Sequence, residues 1–128
     1  MTAEDFRLFD DVPISYSVYH VTRAEHSELY DAQIIYVNHK YEEYGGLPAS
    51  AVIGHSVRQL YPHIEESWFQ DAGRAAMDGV RVEHDYVDTL SGRKFHHTVS
   101  QIIGPGYCAA TYIGYEADSS NKQGSASL

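Results

Sequence analysis

Three consecutive alternating segments in the second half of the chain constrain its fold more than any other feature. In "VRVEHDYV", Val80, Val82, His84 and Tyr86 take one side and Arg81, Glu83 and Asp85 the other. "RKFHHTVSQII" places Phe95, His97, Val99 and Gln101 together, and "YCAATYIGY" forms the third segment. A period of two is the signature of a half-buried strand. The connections, "TLSG" at 89–92 and "GPG" at 104–106, have turn chemistry and are too short for anything but antiparallel neighbours. With 89–92 as a four-residue loop, Asp88 opposes Arg93, Tyr86 opposes Phe95, and His84 opposes His97. A slip of one residue would turn every apolar side chain to the wrong face. The register therefore brings two imidazoles together, about 5 Å apart at Cβ, and turns His96 the other way.

The first half supplies two more strands. "ISYSVYHV" sets Ile14, Tyr16 and Val18 against Ser15, Ser17 and Tyr19, and "AQIIYVN" is rich in β-branched and aromatic residues. Before them, residues 2–12 read as an amphipathic helix with Thr2 as cap and Phe6 and Phe9 on one face, stopped by Pro13. Asn38 is a good N-cap for "HKYEEY", which carries Tyr41 and Tyr44 on one side and ends at Gly45 and Gly46. Short helical turns follow at "PASAV" and "SVRQLY". The longest helix is expected over 67–78, with a Ser67–Gln70 capping box and Gly79 as its stop. Phe69, Ala72, Gly73 and Ala76 form a narrow face suited to close packing on a sheet. Segregated strands and helices imply an α+β fold in which the two early strands join the three later ones in an antiparallel sheet.

Composition excludes several functions. The 128 residues make one domain, and 43% hydrophobic content gives it a core. Nine Lys plus Arg against 18 Asp plus Glu leave a net charge of −9. Nucleic acid and anionic membranes are bound by clustered cations, so neither is expected as a partner. A single cysteine allows no internal disulfide, and the N-terminus carries no apolar run, so a cytoplasmic protein is expected.

The segment "IIYVNHKYEEYGGLPASAVIGHSVRQLYP" resembles the central motif of PAS domains: a strand ending in Asn, an aromatic three residues on, Gly, an apolar–Ile–Gly triplet, then Leu and Pro. Those positions are Asn38, Tyr41, Gly46, Val52–Ile53–Gly54, Leu60 and Pro62. The resemblance extends over 13–116. It is nearest to bacterial PAS modules placed before diguanylate cyclase or histidine kinase output domains. The stretch "YIGYEADSS" departs from it, lacking the Asp-x-Thr signature that leads into many output helices. The resemblance implies a five-stranded antiparallel sheet with short helices and one longer helix on one face, after an N-terminal capping helix at 1–12 and before a linker or tail at 117–128. It also implies a cavity between helices and sheet, and homodimerisation through the N-terminal helix, with Phe6 and Phe9 as candidate contacts. A sensory role in two-component or cyclic-di-GMP signalling, not catalysis, is the expected function.

His84 and His97 are candidate ligand contacts, with a hydrogen-bonded structural pair as the alternative. Trp68 and Phe69 either touch a ligand or anchor the long helix. Tyr36, Tyr86 and Tyr112 are cavity candidates by alternation. No metal site is expected, because no further ligands stand at a suitable spacing. Cys108 lies on the last strand and reads as a buried small hydrophobe, so a covalent flavin adduct is not expected. Met77 is the long helix's one potential haem ligand and reads as core, so no cofactor is identified. Two rival readings remain open: a small α+β acid–base enzyme of cyclase or isomerase type using His84 and His97, and a ligand-free dimerisation platform.

Overall fold

A computed structural model describes residues 2–24, 29–45, 47–87 and 92–115, with the side chains of Tyr86 and Tyr115 outside that description. Residues 89–91 of the expected hairpin loop and the expected tail at 117–128 lie outside the described residues.

Five strands form one antiparallel sheet: β1 (Ser15–Arg23), β2 (Tyr30–Val37), β3 (Val82–Val87), β4 (Lys94–Gln101) and β5 (Tyr107–Tyr115). Their order is β2-β1-β5-β4-β3, so the N-terminal pair docks beside the C-terminal three through β1 and β5. The β3–β4 register is the expected one, with His84 opposite His97 and Tyr86 opposite Phe95. In the β1–β2 pair, Val18 opposes Tyr36 and Tyr19 opposes Ile34, leaving Ile35 as an extra residue. This bulge breaks the alternation of β2. Ile34 and Val37 join the core beneath the helices, whereas Ile35 and Tyr36 pack on the other side of the sheet.

Four helices cover one face: α1 (His39–Gly45), α2 (Ala49–Val52), α3 (Val57–Leu60) and α4 (Glu66–Asp78). α4 lays Phe69, Ala72, Ala75 and Ala76 into the main core with Val21, Ile34 and Val99. Gly73 is where it comes closest, since a Cβ there would lie 2.5 Å from the Tyr30 ring. Gly79 ends α4 at φ 71°, its N–H returning to the Arg74 and Ala75 carbonyls.

Two helix ends depart from expectation. α4 begins at Glu66, one residue early, and Ser67 caps nothing. Glu66 is drawn into the first turn by Arg58, whose guanidinium reaches it at 2.7 and 3.0 Å and lies 3.8 Å over the Phe69 ring. The capping box belongs to α3, where Ser56 and Gln59 exchange hydrogen bonds. The N-terminal helix is a 3₁₀ helix, Ala3–Phe9. With three residues per turn, Ala3, Phe6 and Phe9 eclipse one another, and all three pack on the outer face of the sheet around Val18, Tyr36 and Ala109. Phe6 is 7% exposed and Phe9 stacks on Tyr16 at 4.4 Å. Both rings are thus spent largely on the chain's own sheet.

Asn38 joins these layers and is 1% exposed. Its Oδ1 accepts from the N–H groups of Tyr16 and Tyr41, and its Nδ2 donates to the carbonyls of Phe9 and Ile14. One amide caps α1, starts β1 and holds the end of the 3₁₀ helix, using all four of its hydrogen-bonding positions.

Candidate functional site: an aromatic cavity between helices and sheet

The helices do not seal the sheet. Between α1, α3, the start of α4 and strands β1, β4 and β5 lies a cavity of about 460 Å³. It is within the size range of small-molecule sites. Tyr41 and Tyr44 enter it from consecutive turns of α1, Tyr61 from the end of α3, and Trp68 from the first turns of α4. The sheet contributes Ser15, Tyr19, Phe95 and Tyr112. The remaining lining is Gly45, Val57, Leu60, Pro62, His63 and Ile64, so among the described residues no Asp, Glu, Lys or Arg faces the space.

The walls are held by their own polar tips. Trp68 Nε1 donates to the Tyr112 hydroxyl at 3.0 Å, bridging α4 and β5. The Tyr41 and Tyr61 hydroxyls lie 2.7 Å apart, so one donates to the other. Tyr44 Oη accepts from the Gly114 N–H at 3.3 Å. Tyr19 meets Trp68 edge-on at 5.2 Å and 80°, and Phe95 meets Tyr112 at 6.0 Å and 84°. Edge-to-face rings with satisfied tips form a rigid box rather than a loose apolar gap. Burial pushes the Tyr19 and Tyr41 phenols well up, so both stay neutral hydrogen-bonding groups.

The imidazole pair sits behind this box. His97 is 1% exposed, stacked on Tyr112 at 4.3 Å and 8°, and meets His84 edge-on at 5.2 Å. Its Nε2 is buried without a hydrogen-bond partner among the described residues. Burial, then the neighbouring His84 and His96, holds its pKa down to about 4, and the ring is neutral. His84 reaches Asp71 of α4 at 3.1 Å. His96 projects from the opposite face, as expected, between Glu83 and Asp85, and those carboxylates raise its pKa.

A family model described as PAS fold matches residues 30–106, more than half of the chain. The chain belongs to the PAS family. The photoactive yellow protein domain of the sensor histidine kinase Ppr from Rhodospirillum centenum is similar in fold, with a TM-score of 0.54 and 14% identity over 88% of this chain and 93% of that one. The PAS domain of an HTR-like protein from Haloarcula marismortui gives 0.47 and 18% over 88% and 97%. Among curated proteins nothing matches.

Within this PAS domain the expected site residues separate. Trp68 and Tyr112 line the cavity. Phe69, one residue on, turns 1% exposed into the core and anchors α4 without reaching the space. His84 and His97 are neighbours, as the register required, but neither lines the cavity; Tyr112 stands in front of His97. Tyr36 is on the other side of the sheet, where the 3₁₀ helix covers it and its hydroxyl donates to Asp10 at 2.7 Å. The β2 bulge puts it there, and strand alternation alone could not reveal that. The Tyr86 side chain lies outside the described residues.

Five rings were not singled out from the sequence as ligand contacts: Tyr19, Tyr41, Tyr44, Tyr61 and Phe95. The i, i+3 pair of α1 and the count of 11 tyrosines were the visible signals. Cys108 is fully buried in β5 with its thiol pushed up to about 12, and Met77 is 36% exposed on α4; neither lines the cavity. Among the described residues no group of three or more His, Cys, Asp or Glu is arranged to hold a metal ion, and no helix is long and apolar enough to cross a membrane.

Proposed function

We propose that this PAS domain is the sensory module of a cytoplasmic signalling protein, taking a small organic ligand into the aromatic cavity. Ligand state would pass to an output domain outside this sequence, a histidine kinase or a diguanylate cyclase, through rearrangement of a homodimer. The observation that carries the reading is the box itself: a cavity of about 460 Å³, open to solvent, with seven aromatic side chains and no charged side chain among the described residues of its wall. Such a wall costs little to desolvate and grips a ring or hydrocarbon body, while hydroxyls and one imidazole set orientation. A ligand can signal only by binding two arrangements unequally. The box joins α1, α3 and α4 to β1, β4 and β5, so filling it biases how the helices sit on the sheet. For the dimer, Leu8, 91% exposed on the 3₁₀ helix, is the apolar side chain that element still offers to a second copy.

A covalent flavin gains no support from Cys108, which is buried in β5 and does not line the cavity. Acid–base catalysis by His84 and His97 gains nothing from the geometry, because neither imidazole lines the cavity. The test is native mass spectrometry and absorbance of the purified protein, followed by a ligand screen read through the fluorescence of its one tryptophan. A retained or titratable small molecule that also alters the monomer–dimer equilibrium is the expected result. A protein that binds none and dimerises regardless would be a ligand-free platform.

A further inference from the structure

Two phenol protons in the cavity wall have no acceptor among the described residues. The Tyr41 and Tyr61 hydroxyls lie 2.7 Å apart and share one hydrogen bond, so whichever oxygen accepts it keeps a proton of its own. Tyr44 Oη accepts from the Gly114 N–H at 3.3 Å, and its proton is the second. The two differ in setting. Tyr44 is half-buried, where water can meet its proton. Tyr41 is 8% exposed, and burial keeps its phenol protonated. A Cβ on Gly45 would lie 3.6 Å from the Tyr61 hydroxyl and 3.7 Å from the Tyr41 ring, so the end of α1 shields the pair on one side. In such a setting an unmatched donor is costly, and a matched one is worth more than in water.

This spare donor discriminates among ligand classes. A hydrocarbon ring fills the walls and leaves the proton unmatched. Aromatic faces attract a quaternary ammonium, but it too accepts no hydrogen bond. A carboxylate would accept, yet no cation stands in the described wall to offset its desolvation, and the net charge of −9 opposes its approach. A neutral carbonyl accepts the proton without bringing a charge. Resting on the proposed role of this cavity as the ligand site, we infer that its ligand is a neutral aromatic carbonyl compound. Its ring lies among Tyr19, Trp68 and Tyr112, and its carbonyl oxygen accepts from the Tyr41–Tyr61 hydroxyl pair.

The test uses four probes of similar shape, read through the Trp68 signal: benzylacetone, its hydrocarbon counterpart isopentylbenzene, hydrocinnamate and phenylpropylammonium. Benzylacetone is expected to bind wild type more tightly than the acid or the ammonium, and its carbonyl stretch should move to lower frequency on binding. Tyr41→Phe and Tyr61→Phe each leave one phenol with its proton, so either alone should change ketone affinity little. The double variant leaves none. It should weaken benzylacetone about three- to tenfold, the range of one hydrogen bond converted to affinity, and spare isopentylbenzene. Tighter binding of the acid or the ammonium overturns the neutral class. A carbonyl stretch unmoved on binding, or equal losses of ketone and hydrocarbon in the double variant, overturns the hydrogen bond. Both results leave a ligand-binding cavity in place. Failure of all four probes to perturb Trp68, with no shift in the backbone amide spectrum, removes the cavity's role as a ligand site and this inference with it.

Discussion

Acidification of this domain should expose the cost of burying His97. An unfolded chain protonates this imidazole near 6.5, whereas in the fold its pKa is held down to about 4 by burial and by the imidazoles of His84 and His96. Between those values the unfolded state carries a proton that the native state lacks. Stability is therefore fully present above 6.5 and lost as pH falls towards 4. At pH 4.5 the loss is about 2.5 kcal/mol, which at about 4 °C per kcal/mol for a domain of this size lowers Tm by about 10 °C.

Other groups titrate in the same range. Asp11 raises His39, and Asp85 and Glu83 raise His96, so their stabilisation is present at low pH and fades as pH rises through their folded values. Glu66 is lowered by Arg58 and loses its stabilisation as pH falls below the ordinary Glu range. The difference between wild type and His97→Phe isolates the one imidazole. Phe keeps the stack on Tyr112 and cannot titrate. Thermal melts from pH 7.5 to 4.5 should show wild type falling relative to the variant by the amount above. Parallel curves, or a His97 resonance that titrates near 6.5, would refute the reasoning.

Asn38→Asp keeps the Oδ acceptor but loses the donors to Phe9 and Ile14 and places a charge at a site 1% exposed; urea unfolding should register a loss of about 3 kcal/mol, and an unchanged midpoint would deny its central role. Gly73→Ala improves helix propensity by about 1 kcal/mol, yet its Cβ meets the Tyr30 ring at 2.5 Å. The net effect should be destabilising by up to about 2 kcal/mol and should turn stabilising in a Tyr30→Ala background; the same sign in both backgrounds would be inconsistent with the close approach. Tyr112→Phe removes the acceptor of the Trp68 Nε1 hydrogen at 3.0 Å, and should cost about 1 kcal/mol and shift Trp68 emission, which an unaltered spectrum would contradict.

Much of the architecture was legible because it depends on local rules. Period-two alternation and two short turns determine the β3–β4–β5 meander, and register follows because a slip would invert every face. Hence His84 opposite His97, and His96 on the far side, could be read without coordinates. Gly79 at φ 71° and Asn38 before α1 are end signals that act within a few residues. Other features are decided by partners distant in sequence. Arg58 draws Glu66 into α4 and displaces its start, and the Ile35 bulge sends Tyr36 under the 3₁₀ helix. Whether Phe69 or Trp68 faces the cavity depends on the rotation of α4 about its axis, which is set by packing against Tyr30 and the sheet. The cavity itself is space left between elements that touch only in the folded molecule. Residue order therefore specifies strands, turns and stops, while the empty volume and its seven rings exist only once β1 has closed against β5.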